Sequence, residues 1–488
     1  MGLAHGSTLA LRLWRTIVSI RKIAFATTTV FAVGMSVYCL ANLNRASAEC
    51  ISLRLANRLG LPYLPFKLAD KTAEGWSNDF PTDLRTDLKG STITIALPEN
   101  APDVRWDDEL IAKFHELTGI QVRIVRPGND TTAVLSRYLA DFQSGDPKAD
   151  VYAIDVVWPA ILSGFAEDLR PAFGDLRGIA PGLIGNDTVS GKMVAIPYFA
   201  EVSLLYYRTD LLRRYHFAEP PRTWSGLEQQ ARVIEVGERS GGDRQFWGYL
   251  WQGAASEALT CNAYEWQLSQ GGGSLLTPDG ALNVKSEQTA KAWDRARRWI
   301  GTISPPEVTD QLEDDSLQLW THGRSAFMRN WPYAWRESMR GDSKVEGRVG
   351  VTVLPRGEGP GGRHADVLGG FQLMVSNRST HKEAAIELVR YLTSPQVQRL
   401  NAIQRGYLPT RLELYDDPVV LRANPFFGSL KGVLLNGAVA RPSNVAGRRY
   451  DAVSRAYFTA AHQTLTGEKS ASRAVEGLNE DLLRILAK

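Results

Sequence analysis

Two acidic residues lie in or near predicted strands, where their carboxyl groups could act on a bound molecule or simply hold it. Asp155 belongs to the run 151–157 and Glu201 to the run 194–208. Two acids can flank a glycosidic bond in a hydrolase, whereas in a binding protein an ionised carboxylate offers two acceptor oxygens to sugar hydroxyls. A helix cap or a salt bridge is an equally ordinary role for either acid. Sequence spacing does not give the separation of the carboxyls, so these alternatives stay open.

Gly357, Gly359 and Gly362 have the spacing of a dinucleotide-binding turn, and they follow a predicted strand. Such a turn must lead into a helix whose N-terminus faces the phosphates, but Pro360 and the segment 363–370 lead into another strand. We interpret these glycines as a flexible surface loop.

The other motifs of catalytic chemistry are incomplete. The segment 185–192 resembles a phosphate-binding loop, but Ser190 stands where the second glycine belongs and Met193 replaces the hydroxyl that would hold magnesium. The seven His residues form no HExxH pattern, and no GxSxG motif is present. We therefore predict no cofactor, no metal site and no catalytic residue.

The composition is that of an ordinary globular protein. The 488 residues are 44% hydrophobic, and 56 basic against 53 acidic residues give a formal net charge of +3. This near balance gives no basis for binding nucleic acid or an anionic membrane. Three Cys residues are too few for a disulfide scaffold. The 13 Trp and 16 Tyr residues mostly fill cores, but they also supply flat faces that can stack on sugar rings.

The N-terminus has the pattern of an export signal. Basic residues precede an apolar run at 23–41, and Ala46-Ser47-Ala48 has the small-x-small form of a cleavage site. We predict a signal peptide at 1–48, a mature chain that starts near Glu49, and a periplasmic location. The apolar run is also long enough for an uncleaved membrane anchor, which is the alternative.

Beyond a polar segment at 49–90, which we predict to be a spacer, the sequence alternates between strand and helix patterns. Predicted strands are 92–97, 122–125, 151–157, 194–208, 349–354 and 368–375. Predicted helices are 106–117, 131–142, 159–169, 225–237, 254–270, 287–300, 383–392 and 471–486. The alternation implies a largely parallel sheet covered by helices. Capping boxes mark two helix starts, at Ser225 with Glu228 and at Thr380 with Glu383.

Several segments resemble the extracellular solute-binding proteins for sugars, and among these the trehalose- and maltose-binding proteins. They are 150–158, 196–208, 220–224, 246–253, the sequence RNWPYAW at 329–335, and 350–355. The resemblance runs in order from about Ile93 to the C-terminus, and RNWPYAW is its most specific part.

The resemblance implies an α/β protein with the type II periplasmic-binding-protein fold, in which two lobes joined by a hinge enclose a ligand cleft. It places 91–200 and 362–408 in the N-lobe, and 201–361 and 409–488 in the C-lobe. The chain would cross between the lobes near Ala200, Gly361 and Leu408.

The resemblance also implies roles for particular side chains. Asp155 and Glu201 would accept hydrogen bonds from sugar hydroxyls, Trp331 would form a stacking floor with Tyr333 nearby, and Arg441 would bind a hydroxyl. The remaining candidates are Gly369 and Gly370, where backbone approaches the ligand, Phe371, Asn129, and one of Glu99 and Asp103. Val134 and Phe199 depart from the residues of trehalose-binding relatives, which leaves the sugar's identity open.

The function implied is extracytoplasmic binding of a di- or oligosaccharide of the trehalose- or maltose-like α-glucoside class, by a monomer that delivers it to an ABC importer permease. No enzyme activity is expected. Two alternatives are an exported glycoside-cleaving enzyme that uses Asp155 and Glu201, and a membrane-tethered sugar sensor.

Overall fold

The computed structural model describes residues 80–98, 104–128, 130–174, 176–359 and 361–487. The predicted signal peptide, most of the predicted spacer, and the candidates Glu99, Asp103 and Asn129 lie outside these ranges. Among the described residues, no helix combines the length and the apolar character that a membrane span requires.

The strands are β1 (Thr92–Ala96), β2 (Gln121–Val125), β3 (Val151–Asp155), β4 (Thr188–Val189), β5 (Lys192–Met193), β6 (Ile196–Val202), β7 (Leu204–Arg208), β8 (Trp247–Leu250), β9 (Ser325–Asn330), β10 (Val349–Thr352), β11 (Asp366–Val375) and β12 (Ala438–Val439). The helices are α1 (Val104–Thr118), α2 (Thr131–Ser144), α3 (Pro159–Leu162), α4 (Arg170–Phe173), α5 (Pro181–Asn186), α6 (Thr209–Arg214), α7 (Trp224–Ser240), α8 (Glu257–Ser269), α9 (Ser286–Trp299), α10 (Glu313–Thr321), α11 (Ala334–Ser338), α12 (Lys382–Leu392), α13 (Pro395–Arg405), α14 (Pro418–Ala423), α15 (Phe427–Gly432), α16 (Ser443–Ala446), α17 (Tyr450–Leu465) and α18 (Ala471–Leu486).

A six-stranded sheet has the order β12-β11-β3-β1-β2, and β6 also pairs with β11. The pairs β1–β2 and β1–β3 are parallel, as the strand–helix alternation predicts. However, β11 runs antiparallel to both β3 and β6. The prediction of a largely parallel sheet is therefore wrong at β11, which runs in the opposite direction to β3 and β6 and is parallel only to β12.

A four-stranded sheet has the order β10-β7-β9-β8. Only β8 and β9 are parallel, whereas β7 is antiparallel to both of its neighbours. Strand β9 is buried along its whole length, and its last residue, Asn330, pairs with Leu204 at the start of β7. This pairing brings the residue after β9, Trp331, close to the point where the chain changes sheets.

The chain passes from one sheet to the other at two places. A single residue, Ser203, separates β6 from β7, and the segment 353–365 separates β10 from β11. Farther along, Leu408 pairs with Ala200, and Arg411 pairs with Ile179. The connections between the two sheets and the segment around Leu408 therefore lie beside β6. The lobe boundaries given by the resemblance remain a prediction.

The predicted helix 159–169 is wrong after its first turn. Helix α3 ends at Leu162, a short 3-10 turn covers Ser163–Phe165, and Ala166 adopts an extended conformation. Ala166 pairs with Ser376, just beyond β11. A long-range backbone pair thus overrides the local helical pattern, which sequence periodicity does not register.

Both predicted capping boxes are also wrong. The N-cap of α7 is Thr223, whose side chain accepts a hydrogen bond from the backbone NH of Gly226, and the N-cap of α12 is His381 without a side-chain bond. We expect Thr223→Ala to lower the free energy of unfolding by about 1 kcal/mol, because the N-terminal NH loses its acceptor. Urea denaturation of Thr223→Ala beside Ser225→Ala is the measurement. An equal loss from Ser225→Ala would contradict the assignment.

Candidate ligand-binding site

Most of the candidate residues line one cavity of about 810 Å³, a volume that includes its solvent-open mouth. Its walls come from strands of the six-stranded sheet, from the N-terminal turns of helices and from the segment that follows β9. The lining residues are Asp130, Thr131, Asp155, Phe199, Glu201, Ser256, Glu257, Ala258, Cys261, Leu312, Glu313, Asp314, Trp331, Tyr333, Gly369, Gly370, Phe371, Tyr407 and Arg441. Every candidate within the described residues is among them.

Strand register explains why residues far apart in sequence meet here. Asp155 ends β3 and pairs with Phe371 of β11, while Glu201 of β6 pairs with Gly369 of the same strand. Two acids from two strands are thus set against one short stretch of β11. Asp155 lies at the carboxyl end of a parallel strand, the edge where open α/β sheets bind ligands.

Asp155 lines the cavity and also makes ordinary structural contacts. Its carboxylate accepts a hydrogen bond from the backbone NH of Val157 at 3.1 Å and lies 3.4 Å from a guanidinium nitrogen of Arg441. Burial raises the pKa of Asp155 to about 6, although Arg441 acts in the opposite direction. A hydrogen bond to the backbone two residues ahead, a salt bridge and a place in the cavity lining therefore coexist in one side chain.

Arg441 is almost fully buried and joins two acids. One guanidinium nitrogen lies 2.7 Å from Glu257, and the other donates to the carbonyl oxygen of Leu368 at 3.3 Å as well as facing Asp155. Glu257 also accepts hydrogen bonds from Tyr450 at 2.6 Å and from Ser454 at 2.5 Å. This network fixes the guanidinium, so its orientation does not depend on a ligand.

Glu201 lacks the hydrogen-bonded partners that Asp155 and Glu257 have. No donor among the described residues reaches its carboxylate, and only 7% of the residue is exposed. Burial raises its pKa well above the usual value, and the nearby carboxyls of Glu313 and Asp155 raise it further. A buried acceptor without a donor is costly, so Glu201 has unused capacity for a ligand hydroxyl.

Trp331 presents a fixed indole to the cavity. Its ring nitrogen donates to Glu313 at 3.1 Å, and the guanidinium of Arg329 lies 4.0 Å from the ring centroid. A Cβ on Gly369 would come within 3.0 Å of the ring carbon Cζ3, so the glycine allows the indole to approach β11. The result is a flat apolar surface beside several carboxylates.

Further aromatic rings lie on the side of the six-stranded sheet. Phe199 stacks on Tyr407 with centroids 4.0 Å apart, and its centroid is 5.5 Å from that of Phe371. Phe199 stands where the resemblance expects a tyrosine, so this wall lacks one hydroxyl. The cavity therefore pairs acid groups with ring faces, which suits a ligand with polar edges and apolar faces.

Gly370 occupies a position that requires glycine. Its φ is +118°, and a Cβ there would overlap the carbonyl oxygen of Phe199 and lie 2.9 Å from Cα of Ala200. We expect Gly370→Ala to lower the free energy of unfolding by about 1–3 kcal/mol through backbone strain and overlap. Gly182→Ala is the control in the same urea experiment, because no atom lies within 4 Å of its added Cβ. A Gly370→Ala variant as stable as this control would contradict the prediction.

Sequence reasoning missed Glu257, Glu313 and Tyr407. Both acids stand in the first turn of a helix, where they are common for electrostatic reasons alone. Tyr407 lies in a stretch without periodicity. Nothing in the local sequence marks these residues, because their place in the cavity depends on the packing of distant elements. Among the described residues, no cluster of His, Cys, Asp and Glu could hold a metal ion.

Comparison with protein families places this sequence in a known group. The model for bacterial extracellular solute-binding proteins matches residues 99–399. The chain belongs to this family. A probable ABC transporter-binding protein from Deinococcus radiodurans is 41% identical over 75% of this chain and 87% of its own length. The protein is thus a solute-binding protein of an ABC transporter and not an enzyme, which excludes the glycoside-cleaving alternative.

Solved structures agree with the predicted type II binding-protein fold. The maltose-bound MalE3 of T. maritima is 33% identical and superposes with a TM-score of 0.76, covering 81% of this chain and 99% of that one. A binding protein from Thermotoga lettingae TMO, bound to α-D-tagatose, is 23% identical with a TM-score of 0.71, covering 81% of this chain and all (100%) of that one. The second likeness concerns the fold alone.

Proposed function

We propose that this protein binds a neutral di- or oligosaccharide of the α-glucoside class outside the cytoplasm and delivers it unchanged to a membrane permease. The observation that carries the proposal is the convergence of Asp155, Glu201 and Trp331 on one cavity. The carboxylates would accept hydrogen bonds from sugar hydroxyls, and the indole would stack on a sugar ring. MalE3, which shares a third of its residues with this chain, has maltose bound.

The chemistry of the cavity supports a small sugar, because acceptor groups and ring faces lie side by side in its lining. Arg441 is already held by Glu257, so it would donate to a hydroxyl without first being ordered. A sugar that leaves Glu201 without a donor would lose about 1–3 kcal/mol of binding free energy. Selectivity would therefore follow from the positions of the hydroxyls.

We further propose a hinge mechanism in which the ligand favours a closed form. The changes of sheet at Ser203 and at 353–365 are the candidate hinge segments, since each connects a strand of the four-stranded sheet to a strand that contributes cavity residues. Moving such an equilibrium from 1:99 to 99:1 takes about 5.5 kcal/mol of differential affinity. Charge-assisted hydrogen bonds to Asp155 and Glu201, together with stacking on Trp331, are of sufficient size.

Calorimetric titration of the mature monomer with maltose, trehalose, maltotriose and mannitol tests the proposal. We expect one-to-one binding of at least one α-glucoside, recovery of the sugar intact, and a smaller radius of gyration by X-ray scattering when it is bound. Binding of mannitol alone would replace the α-glucoside class with a polyol. The absence of binding to every sugar tested would refute the proposed function.

A further inference from the structure

The cavity residue Trp331 packs against a buried ion pair that does not itself line the cavity. Arg329 and Glu265 are both essentially unexposed, and two hydrogen bonds of 2.5 Å and 3.1 Å join them. Arg329 also donates to the side-chain oxygen of Gln252 at 3.2 Å. The guanidinium is thus held on its edges by acceptors, which leaves its flat face to the indole of Trp331, 4.0 Å away.

We propose that Arg329, held by Glu265, is a positioning residue that sets the orientation of Trp331 for ligand stacking. This inference rests on the proposed function, because it assigns to the indole the role of a sugar platform. A planar guanidinium stacks on an aromatic face in a way that a lysine ammonium does not. Arg329 is therefore expected to act on the ligand through the indole and not by contact.

Other contacts of the indole fit this role. Its ring nitrogen donates to Glu313, its backbone NH donates to Asn330 at 2.8 Å, and its backbone oxygen accepts from Tyr206 at 2.7 Å. These bonds fix the backbone and one edge of the ring. Among the described residues, the guanidinium of Arg329 stacks on the face of the Trp331 ring. Without this guanidinium, nothing on that face would oppose rotation of the indole about the side-chain bonds of Trp331.

The variant that tests the proposal is Arg329→Met combined with Glu265→Gln, which removes the stacked cation without leaving a lone buried charge. With maltose as the probe, we expect an affinity about 10-fold lower than that of the unmodified protein, from the loss of about 1.4 kcal/mol of preorganisation. In a Trp331→Leu background the same pair of substitutions should change the affinity less than about 2-fold. Equal losses in both backgrounds would overturn the proposal.

Two further variants distinguish the positioning of Trp331 from a general destabilisation of the fold. Arg329→Lys keeps a cation beside Glu265 but lacks the planar group, so we expect most of the affinity loss to persist; full affinity would overturn the stacking argument. Arg208→Met with Asp210→Asn removes an ion pair of 2.6 Å between the end of the neighbouring strand β7 and the first turn of α6, neither of which lines the cavity. This control should bind maltose like the unmodified protein.

A ligand-free measurement distinguishes failure of this inference from failure of the proposed function. The indole NH resonance of Trp331, identified by its loss in Trp331→Phe, should exchange with solvent at least about 10-fold faster in the Arg329/Glu265 variant. An unchanged exchange rate would overturn the positioning role whatever the protein binds. Conversely, faster exchange in a protein that binds no sugar would support the positioning role and refute only the proposed function.

Discussion

Arg441→Met is expected to lower the free energy of unfolding by about 3–5 kcal/mol at pH 7.5, because it leaves two buried carboxyls without their cation. Arg441 has 2% of its side chain exposed and lies 2.7 Å from Glu257 and 3.4 Å from Asp155. Removing one partner of a buried pair leaves an uncompensated charge, which costs far more than the pair itself contributes. Urea denaturation measures the change.

The loss of stability in Arg441→Met should be larger at higher pH. Burial already places the folded pKa of Asp155 at about 6, above that of an unfolded aspartate, and without Arg441 it rises further. A group with a raised folded pKa destabilises the fold as pH rises from the unfolded pKa through the folded one. We therefore expect Arg441→Met to be less harmful at pH 5 than at pH 7.5, where the penalty for ionising Asp155 is larger.

A surface ion pair supplies the control. Arg455 lies 2.9 Å from Asp451, but the two side chains are 43% and 33% exposed. Arg455→Met should lower the free energy of unfolding by about 1 kcal/mol or less, since solvent screens such pairs. Adding Glu257→Gln to Arg441→Met should recover part of the loss. If Arg441→Met matched Arg455→Met at both pH values, the buried network would carry no stability.

Whether the sequence predicts a residue's role in this site depends on how far apart in sequence the interacting residues lie. The strands β1, β2, β3, β10 and β11 and the helices α1, α2, α7, α8, α9, α12 and α18 could be predicted, because their apolar residues recur with a local period. The strands β8 and β9 and the helices α13 and α17 were not predicted. The motif around Trp331 resembles known relatives, so the candidate floor could be predicted as well. Glu257 could not, because its partners Arg441 and Tyr450 are 184 and 193 residues away in sequence. Such a role exists only once α8 and α17 have packed.

Local signals also failed where tertiary contacts compete with them. Ser225 with Glu228 satisfies the pattern of a capping box, yet Thr223 accepts the capping bond two residues earlier. The helix predicted at 159–169 ends early because Ala166 pairs with Ser376. The backbone NH of Ser225 donates to Glu358 at 2.8 Å, so in both places a residue distant in sequence takes part in the conformation that the backbone adopts.

Glu201→Gln should weaken sugar binding and strengthen the fold at the same time. A carboxylate that accepts a ligand hydroxyl contributes about 1.5–3 kcal/mol, so we expect the affinity to fall about 10- to 150-fold. In the ligand-free protein, burial and then the neighbouring Glu313 and Asp155 raise the pKa of Glu201 well above its usual value. Ionising Glu201 therefore destabilises the folded protein. A glutamine side chain of nearly the same shape is neutral and carries no such penalty.

The penalty gives the stability change its pH dependence. It is absent below the unfolded pKa of glutamate, about 4.3, and grows as pH rises toward the folded pKa. We expect Glu201→Gln to raise the free energy of unfolding by about 0.5–2 kcal/mol at pH 7.5 and by nearly nothing at pH ~3.5, below the unfolded pKa. Glu346→Gln, on an exposed residue, should change neither stability nor affinity. A Glu201→Gln variant less stable than the unmodified protein at pH 7.5 would mean that the carboxylate is paired within the fold, and not reserved for a ligand.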